Sequence, residues 1–227
     1  MYRRALLSAA PTLLLPVQAT APVDLLLVLA IDVSRSISES DAALQRDGYR
    51  AGLQDAQVMA AIQGGALGAI AVAYIEWAAY DRQELLLPWT RIAAPADATA
   101  WAAALDAKPW SSLPRTSLSG ALKFSRTVLA MAPHEGTRRV IDVSGDGVNN
   151  NGPPAEPERD RLVDEGVVIN GLPIINDRPR YGMASGTELV PYYTRAVVGG
   201  PGHFVEVAES FDTFAAAIRR KLLQEIA

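Results

Sequence analysis

The run DLLLVLAIDV, from Asp24 to Val33, is apolar at almost every position rather than at alternate positions. A strand with this pattern is covered on both faces, as the inner strands of parallel sheets are. The run therefore predicts a strand in the middle of a sheet, with helices packed on both sides of it.

Helical and extended patterns alternate along the rest of the chain. Ser38 and Asp41 are spaced as a capping box, and the helix that they begin is predicted to end near Gly64 and Gly65. Strands are predicted over 68–78, 83–89, 139–144, 167–174 and 203–207, and helices over 96–105, 118–131, 159–165, 189–197 and 211–226. This order predicts a doubly wound (Rossmann-like) α/β fold: a mostly parallel sheet with one antiparallel edge strand and helices on both faces.

Length and composition favour one globular domain. The 227 residues are 49% hydrophobic and 20% charged, which excludes a disordered chain. The net charge of -4 and the lack of a basic cluster exclude nucleic acid and anionic membrane surfaces as partners. Because the chain has no cysteine, it can form neither a disulfide framework nor a thiolate zinc site.

The N-terminus has the pattern of an export signal. MYRR is a short basic region, ALLSAAPTLLLPV is apolar, and VQA ends in the small residue Ala19. We expect a signal peptide over 1–19 and one domain over 23–227, with export to the periplasm or the medium and no stable membrane insertion after cleavage. Cleavage after Ala21 and an uncleaved anchor are the alternatives.

Oxygen-bearing side chains follow the predicted strands at the ends where parallel sheets bind ligands. Asp32, Ser34 and Ser36 follow the first strand, Thr116 precedes a helix, and Asp146 follows the strand over 139–144. Carboxylates and hydroxyls without imidazole or thiolate suit Mg²⁺, Mn²⁺ or Ca²⁺ rather than zinc or copper. Because Mg²⁺ held by few protein ligands keeps open positions, an acidic group of another molecule can complete its coordination.

These segments resemble the von Willebrand factor A-like domains that carry a metal-ion-dependent adhesion site. The family pattern is Asp-x-Ser-x-Ser, then Thr, then Asp, and it is matched by Asp32, Ser34, Ser36, Thr116 and Asp146. The resemblance implies that the two serines and the threonine ligate Mg²⁺, whereas the aspartates act directly or through water. Longer stretches, including VIDVSGDGVNNNG and GGPGHFVEV, resemble a usually exported bacterial subfamily of unknown function, from about Val23 to Ala227.

Two positions depart from the family pattern. Arg115 precedes the threonine where many members have a nearby glycine, and SGDG replaces the common Thr-Asp-Gly. Both changes bear on loop geometry, and they leave all five ligand types in place.

Other interpretations of single residues remain open. Ser34 and Ser36 are also suited to capping the following helix. Asp142, inside a predicted buried strand, is better explained as a structural acid. It also begins a pattern like that of a calcium-binding loop, but Pro153 stands where that loop needs glutamate. The Asn149–Asn151 run favours a turn over a binding role.

The sequence therefore predicts a non-enzymatic, exported binding module. A divalent cation held by the five residues would capture an acidic side chain on a protein partner. A magnesium-dependent hydrolase or phosphotransfer enzyme on the same fold is the first alternative, although no lysine lies nearer to the three segments than Lys123. A structural domain with an empty site is the second.

Overall fold

The computed structural model of the protein describes residues 21–110, 112–175 and 186–227. The strands are β1 (Val23–Asp32), β2 (Ile70–Trp77), β3 (Gln83–Ile92), β4 (Gly136–Gly145) and β5 (Val168–Pro173). The helices are α1 (Glu39–Gln54), α2 (Ala56–Gly64), α3 (Pro95–Asp106), α4 (Leu118–Ala130), α5 (Glu156–Asp164), α6 (Gly186–Ala196) and α7 (Phe214–Ile226). The strands form one sheet in the order β3-β2-β1-β4-β5.

Strand β1 is the central strand, as its continuous apolar run predicts. It pairs in parallel with β2 on one side and with β4 on the other. Strand β5 continues the parallel part of the sheet, and β3 runs antiparallel to β2 at the opposite edge. The mostly parallel sheet with one antiparallel edge strand is therefore confirmed.

The two faces of β1 belong to two separate parts of the hydrophobic core. Leu25, Leu27 and Leu29 pack with side chains of α1, α2, α3 and α7. Leu26 and Val28 lie among side chains of α4, α5 and α6 on the other face. Because successive side chains of a strand point to opposite faces, one uninterrupted apolar strand serves both layers.

The first predicted helix is two helices in the structure. Asp55 separates α1 from α2 with an extended backbone, φ -63° and ψ 134°. Its Oδ1 accepts hydrogen bonds from the N–H groups of Gln57 at 2.9 Å and Val58 at 3.2 Å. Apolar periodicity continues across the break, so the pattern alone misses the place where aspartate acts as an N-cap. The predicted capping box at Ser38 and Asp41 is present.

The prediction of a regular strand over 203–207 is wrong. Val205 forms an isolated parallel bridge with Gly171 instead, and Ala208, just beyond the predicted strand, forms a second one with Ile174. Pro173 of β5 lies between the two bridges, and its nitrogen has no hydrogen to donate to a neighbouring strand. The hydrogen bonding between β5 and this segment is therefore interrupted at Pro173, the residue of β5 that has no backbone N–H.

The predicted signal peptide over 1–19 lies outside the described residues. Across the helices of the three described ranges, none combines the length and the apolar character needed to cross a membrane.

Candidate metal centre

Four of the five predicted ligands lie at or just after the carboxyl ends of β1 and β4. Asp32 is the last residue of β1, and Asp146 immediately follows β4. The two strands are parallel neighbours in which Ile31 pairs with Ser144, so both acids emerge at the same edge of the sheet. The loop before α4 reaches this edge as well, because Leu113 forms a parallel bridge with Ser34.

Hydrogen bonds join the first and third motif segments. The Ser34 N–H donates to Asp32 Oδ1 at 2.7 Å. The hydroxyl oxygens of Ser34 and Ser36 are 2.9 Å apart, and the Ser36 hydroxyl donates to Asp146 Oδ1 at 2.6 Å. Hydrogen bonds thus link four of the five predicted ligands, and Asp32, Ser34 and Asp146 among them are buried.

Thr116 reaches the same edge through Asn150, which lies in the loop containing Asp146. The Thr116 N–H donates to Asn150 Oδ1 at 2.9 Å, and the Asn150 N–H donates to the Thr116 carbonyl at 2.9 Å. Thr116 is itself buried. The reciprocal pair fixes the backbone of the threonine loop relative to the aspartate loop.

The flanking asparagines also accept hydrogen bonds, from the first turn of α4 and from the loop between β2 and β3. Asn149 Oδ1 accepts a hydrogen bond from the Ser119 N–H at 3.2 Å. Asn151 Oδ1 accepts one from the Tyr80 N–H at 2.8 Å. The sequence prediction of a turn missed this role, for which the signal was three consecutive amide side chains that begin three residues after Asp146.

Asp32 combines complete burial with an unpaired oxygen. Its Oδ2 has no hydrogen-bond partner in the described part of the chain. Burial, followed by the charge of Asp146, raises the pKa of Asp32 to about 8, against hydrogen bonding from Ser34 that lowers it. A buried carboxylate with a free oxygen, next to a second carboxylate and hydroxyls, is a donor set that fits a hard divalent cation.

Gly145 and Tyr193 explain the departure of SGDG from the family pattern. A Cβ atom at Gly145 would lie 2.9 Å from Asp32 Oδ2 and 2.9 Å from the Tyr193 hydroxyl oxygen. These distances are too short for ordinary van der Waals contacts, so a residue larger than glycine requires Asp32 or Tyr193 to move. The space near Asp32 that a side chain at 145 would fill is taken by the tyrosine of α6.

Arg115, the other departure, adopts a backbone conformation that favours glycine. Among the described residues it is the only non-glycine residue with positive φ, at 72°. The loop therefore keeps a backbone geometry that suits glycine at this position, and a non-glycine residue with this φ is strained.

Replacing Arg115 with glycine is expected to raise the free energy of unfolding of metal-free protein by about 0.5–1 kcal/mol, since relief of the left-handed strain exceeds the backbone entropy of glycine. Urea unfolding measures the change. Arg35→Gly is the matched control: Arg35 is also exposed, but its φ is not positive, so that substitution should destabilise. A less stable Arg115→Gly variant would contradict the assignment of strain to this residue.

Several other polar residues that the sequence singles out lie outside the cluster. Asp142 is buried in β4, where it contacts Lys221 at 3.0 Å, in agreement with a structural role. Glu76 pairs with Arg46 at 2.7 Å, and Lys123 lies over the ring of Tyr80. Within the described ranges, no group of three or more His, Asp or Glu side chains is arranged to hold a metal. The candidate centre differs from such groups because hydroxyls supply three of its five side chains.

Solved structures with low sequence identity share this fold. Proximal thread matrix protein 1 from the mussel byssus, described with a zinc-occupied MIDAS motif (a metal-ion-dependent adhesion site), is 19% identical with a TM-score of 0.62, covering 90% of this chain and 46% of that protein. The pilus adhesin SpaC from Lactobacillus rhamnosus GG is 17% identical with a TM-score of 0.63, covering 92% of this chain and 31% of the adhesin. A von Willebrand factor type A protein from Catenulispora acidiphila is 13% identical with a TM-score of 0.59, covering 90% and 43%.

These similarities show that the fold is von Willebrand factor A-like. The chain spans less than half of the length of each of the three proteins. No curated protein matches the chain. A family described as "protein of unknown function (DUF1194)" matches residues 22–227, and the chain belongs to that family.

Proposed function

We propose that the chain is a non-enzymatic, exported binding module that docks an acidic group of a protein partner through a divalent cation. The observation that carries the proposal is the series of hydrogen bonds from Asp32 to Asp146. It runs through the Ser34 backbone N–H on Asp32 and through the Ser34 and Ser36 hydroxyls to Asp146. The unpaired Asp32 Oδ2 supports it, because a buried polar atom without a partner is costly unless a ligand satisfies it.

Each of the five residues has a separate task in the proposed site. Ser34, Ser36 and Thr116 supply hydroxyl ligands, and Asp32 and Asp146 supply negative charge, directly or through water. The bound Mg²⁺, Mn²⁺ or Ca²⁺ would supply the positive charge that an acidic partner group completes. Asn150 holds the Thr116 backbone beside the loop that contains Asp146, because its side-chain oxygen and its N–H both bond to the threonine backbone.

The relatives support this class of function rather than a particular partner. The mussel protein is a thread matrix protein with zinc at a metal-ion-dependent adhesion site, and the Lactobacillus protein is a pilus adhesin. Both descriptions concern binding and matrix proteins rather than enzymes. Together with the export signal predicted from the N-terminus, they favour a binding module that works outside the cytoplasm.

Metal-stripped protein is expected to bind Mn²⁺ and Mg²⁺ at one saturable site in calorimetric titrations. Asp32→Ala and Thr116→Ala should abolish the binding heat and the metal-dependent rise in melting temperature, because ligands bound only by the folded state stabilise it. Asp47→Ala, an exposed acid on α1, is the control that should keep both. No heat together with a flat melting temperature would leave a structural domain with an empty site.

The acidic-partner part of the proposal has its own test. A blocked glutamate peptide is expected to bind Mn²⁺-loaded protein and not metal-free protein. The matched glutamine peptide should bind neither form. Binding of both peptides with equal affinity, or metal-independent binding, would contradict docking through the cation.

A further inference from the structure

Tyr193 of α6 is completely buried and lies close to the candidate metal centre. Neither its hydroxyl nor Asp32 Oδ2 has a hydrogen-bond partner in the part of the chain that the structure describes. Both oxygens lie 2.9 Å from the position of a Cβ at Gly145, so they are separated by no more than twice that distance. Two unsatisfied buried oxygens therefore face the same small space.

Glycines on two neighbouring strands make room for the tyrosine. At Gly145 on β4, an added Cβ would meet the Tyr193 hydroxyl at 2.9 Å. At Gly171 on β5, it would meet Tyr193 Cδ1 at 2.8 Å. A larger residue at either position would come too close to the tyrosine for an ordinary van der Waals contact. The two glycines thus leave room for the tyrosine, whose hydroxyl lies beside Gly145 and whose ring lies beside Gly171.

We propose that Tyr193 is a positioning residue of the metal centre, whose hydroxyl donates a hydrogen bond to Asp32 Oδ2 when the carboxylate faces a bound cation. The inference rests on the proposed function. Asp32 Oδ1 already accepts the Ser34 N–H, so Oδ2 is the carboxylate oxygen that can accept a further hydrogen bond. A hydrogen bond from a neutral hydroxyl to a carboxylate is charge-assisted, and such bonds orient metal ligands and tune their affinity.

The test compares two buried tyrosines by titrating Mn²⁺ into the metal-stripped protein. Tyr193→Phe is expected to lower the Mn²⁺ affinity about tenfold, the lower end of the effect of removing a partner that orients a ligand. Its melting temperature without metal should be unchanged or higher, because the substitution removes a buried hydroxyl that has no partner. Tyr74→Phe is the matched control: Tyr74 is also fully buried with an unpaired hydroxyl, but it packs on the opposite face of the sheet.

A tyrosine ultraviolet difference spectrum gives an independent measurement. Mn²⁺ should perturb the spectrum of the wild type and of Tyr74→Phe, and the perturbation should be lost in Tyr193→Phe. An unchanged affinity in Tyr193→Phe, while the wild type binds Mn²⁺, would overturn this inference alone. A parallel fall in affinity and metal-free melting temperature would assign Tyr193 to packing and overturn it too. If the wild type binds no Mn²⁺, the proposed function fails as well.

Discussion

Replacing Lys221 with methionine is expected to lower the free energy of unfolding by about 3–5 kcal/mol, because removal of one partner of a buried ion pair leaves an uncompensated charge. Lys221 is completely buried in α7 and contacts Asp142 of β4 at 3.0 Å. It also pairs with Glu225 on its own helix, and Asn170 donates to Glu225 Oε1 at 2.9 Å. Urea unfolding measures the loss. Lys108→Met, at an exposed lysine, is the control and should change stability by about 0.5 kcal/mol or less.

The loss caused by Lys221→Met should grow with pH. Burial raises the pKa of Asp142 to about 7, the charge of Lys221 opposes that rise, and the charge of Glu225 adds to it. Without the lysine the pKa of Asp142 rises further, so the folded variant holds its proton beyond pH 7 while the unfolded chain has released it. A group with a raised folded pKa loses its stabilising contribution as pH rises through that value. The variant should therefore weaken further between about pH 7 and 8, where the wild-type contribution has levelled off.

A second substitution separates charge from packing. Asp142→Asn combined with Lys221→Met removes the carboxylate that the lysine compensates, so it should recover part of the stability and reduce the pH dependence. Equal stability of the single variant and the wild type at pH 8 would contradict a stabilising role for the ion pair.

The sequence predicts the layers of the fold because the signal for them lies within one short segment, β1. An apolar residue at nearly every position of Val23–Asp32 requires cover on both faces, and the structure supplies helices on both. The motif segments predict which loops meet, because parallel strands bring their carboxyl ends to one edge. Asp32, Ser36 and Asp146 are brought together on this principle.

Features that depend on contacts between distant segments are harder to predict. Lys221 and Glu225 are four residues apart, a spacing that usually places an ion pair on the solvent face of a helix. The available signal was that both share the face of Phe214, Ile218 and Leu222, which is the buried face of α7. That signal indicates burial, but it does not identify Asp142 as the partner.

The break at Asp55 and the interruption at Pro173 are failures of a different kind. In both cases the hydrophobic periodicity continues, but a single residue ends the regular backbone hydrogen bonding. Asp55 satisfies the first N–H groups of α2, and Pro173 cannot supply a donor to the segment beside β5. Hydrophobic patterns predict which residues are buried, but they do not account for each backbone donor.

The affinity for Mn²⁺ is expected to rise about tenfold per pH unit between pH 5 and about 8 and to level off above it. The reason is the raised pKa of Asp32, about 8 in the metal-free protein, which arises mainly from burial and then from the charge of Asp146. Below that pH the buried carboxyl holds a proton, and a cation must displace it. Titrations in buffers with different ionisation enthalpies should therefore detect release of about one proton per Mn²⁺ at pH 6. A constant affinity from pH 5 to 8 would show that Asp32 is already ionised without metal.

Asp32→Asn tests the same carboxyl without metal. The asparagine side chain can still accept the Ser34 N–H, but it cannot ionise. In wild-type protein the folded state keeps the Asp32 proton that the unfolded chain releases near its ordinary pKa, so stability falls as pH rises from about 4 to 8 by up to about 1.4 kcal/mol per unit. The variant should lack this part of the decline and become the more stable protein at pH 8 without metal. Saturating Mn²⁺ should stabilise only the wild type, because the same carboxylate that weakens the empty fold is the one that the proposed cation requires.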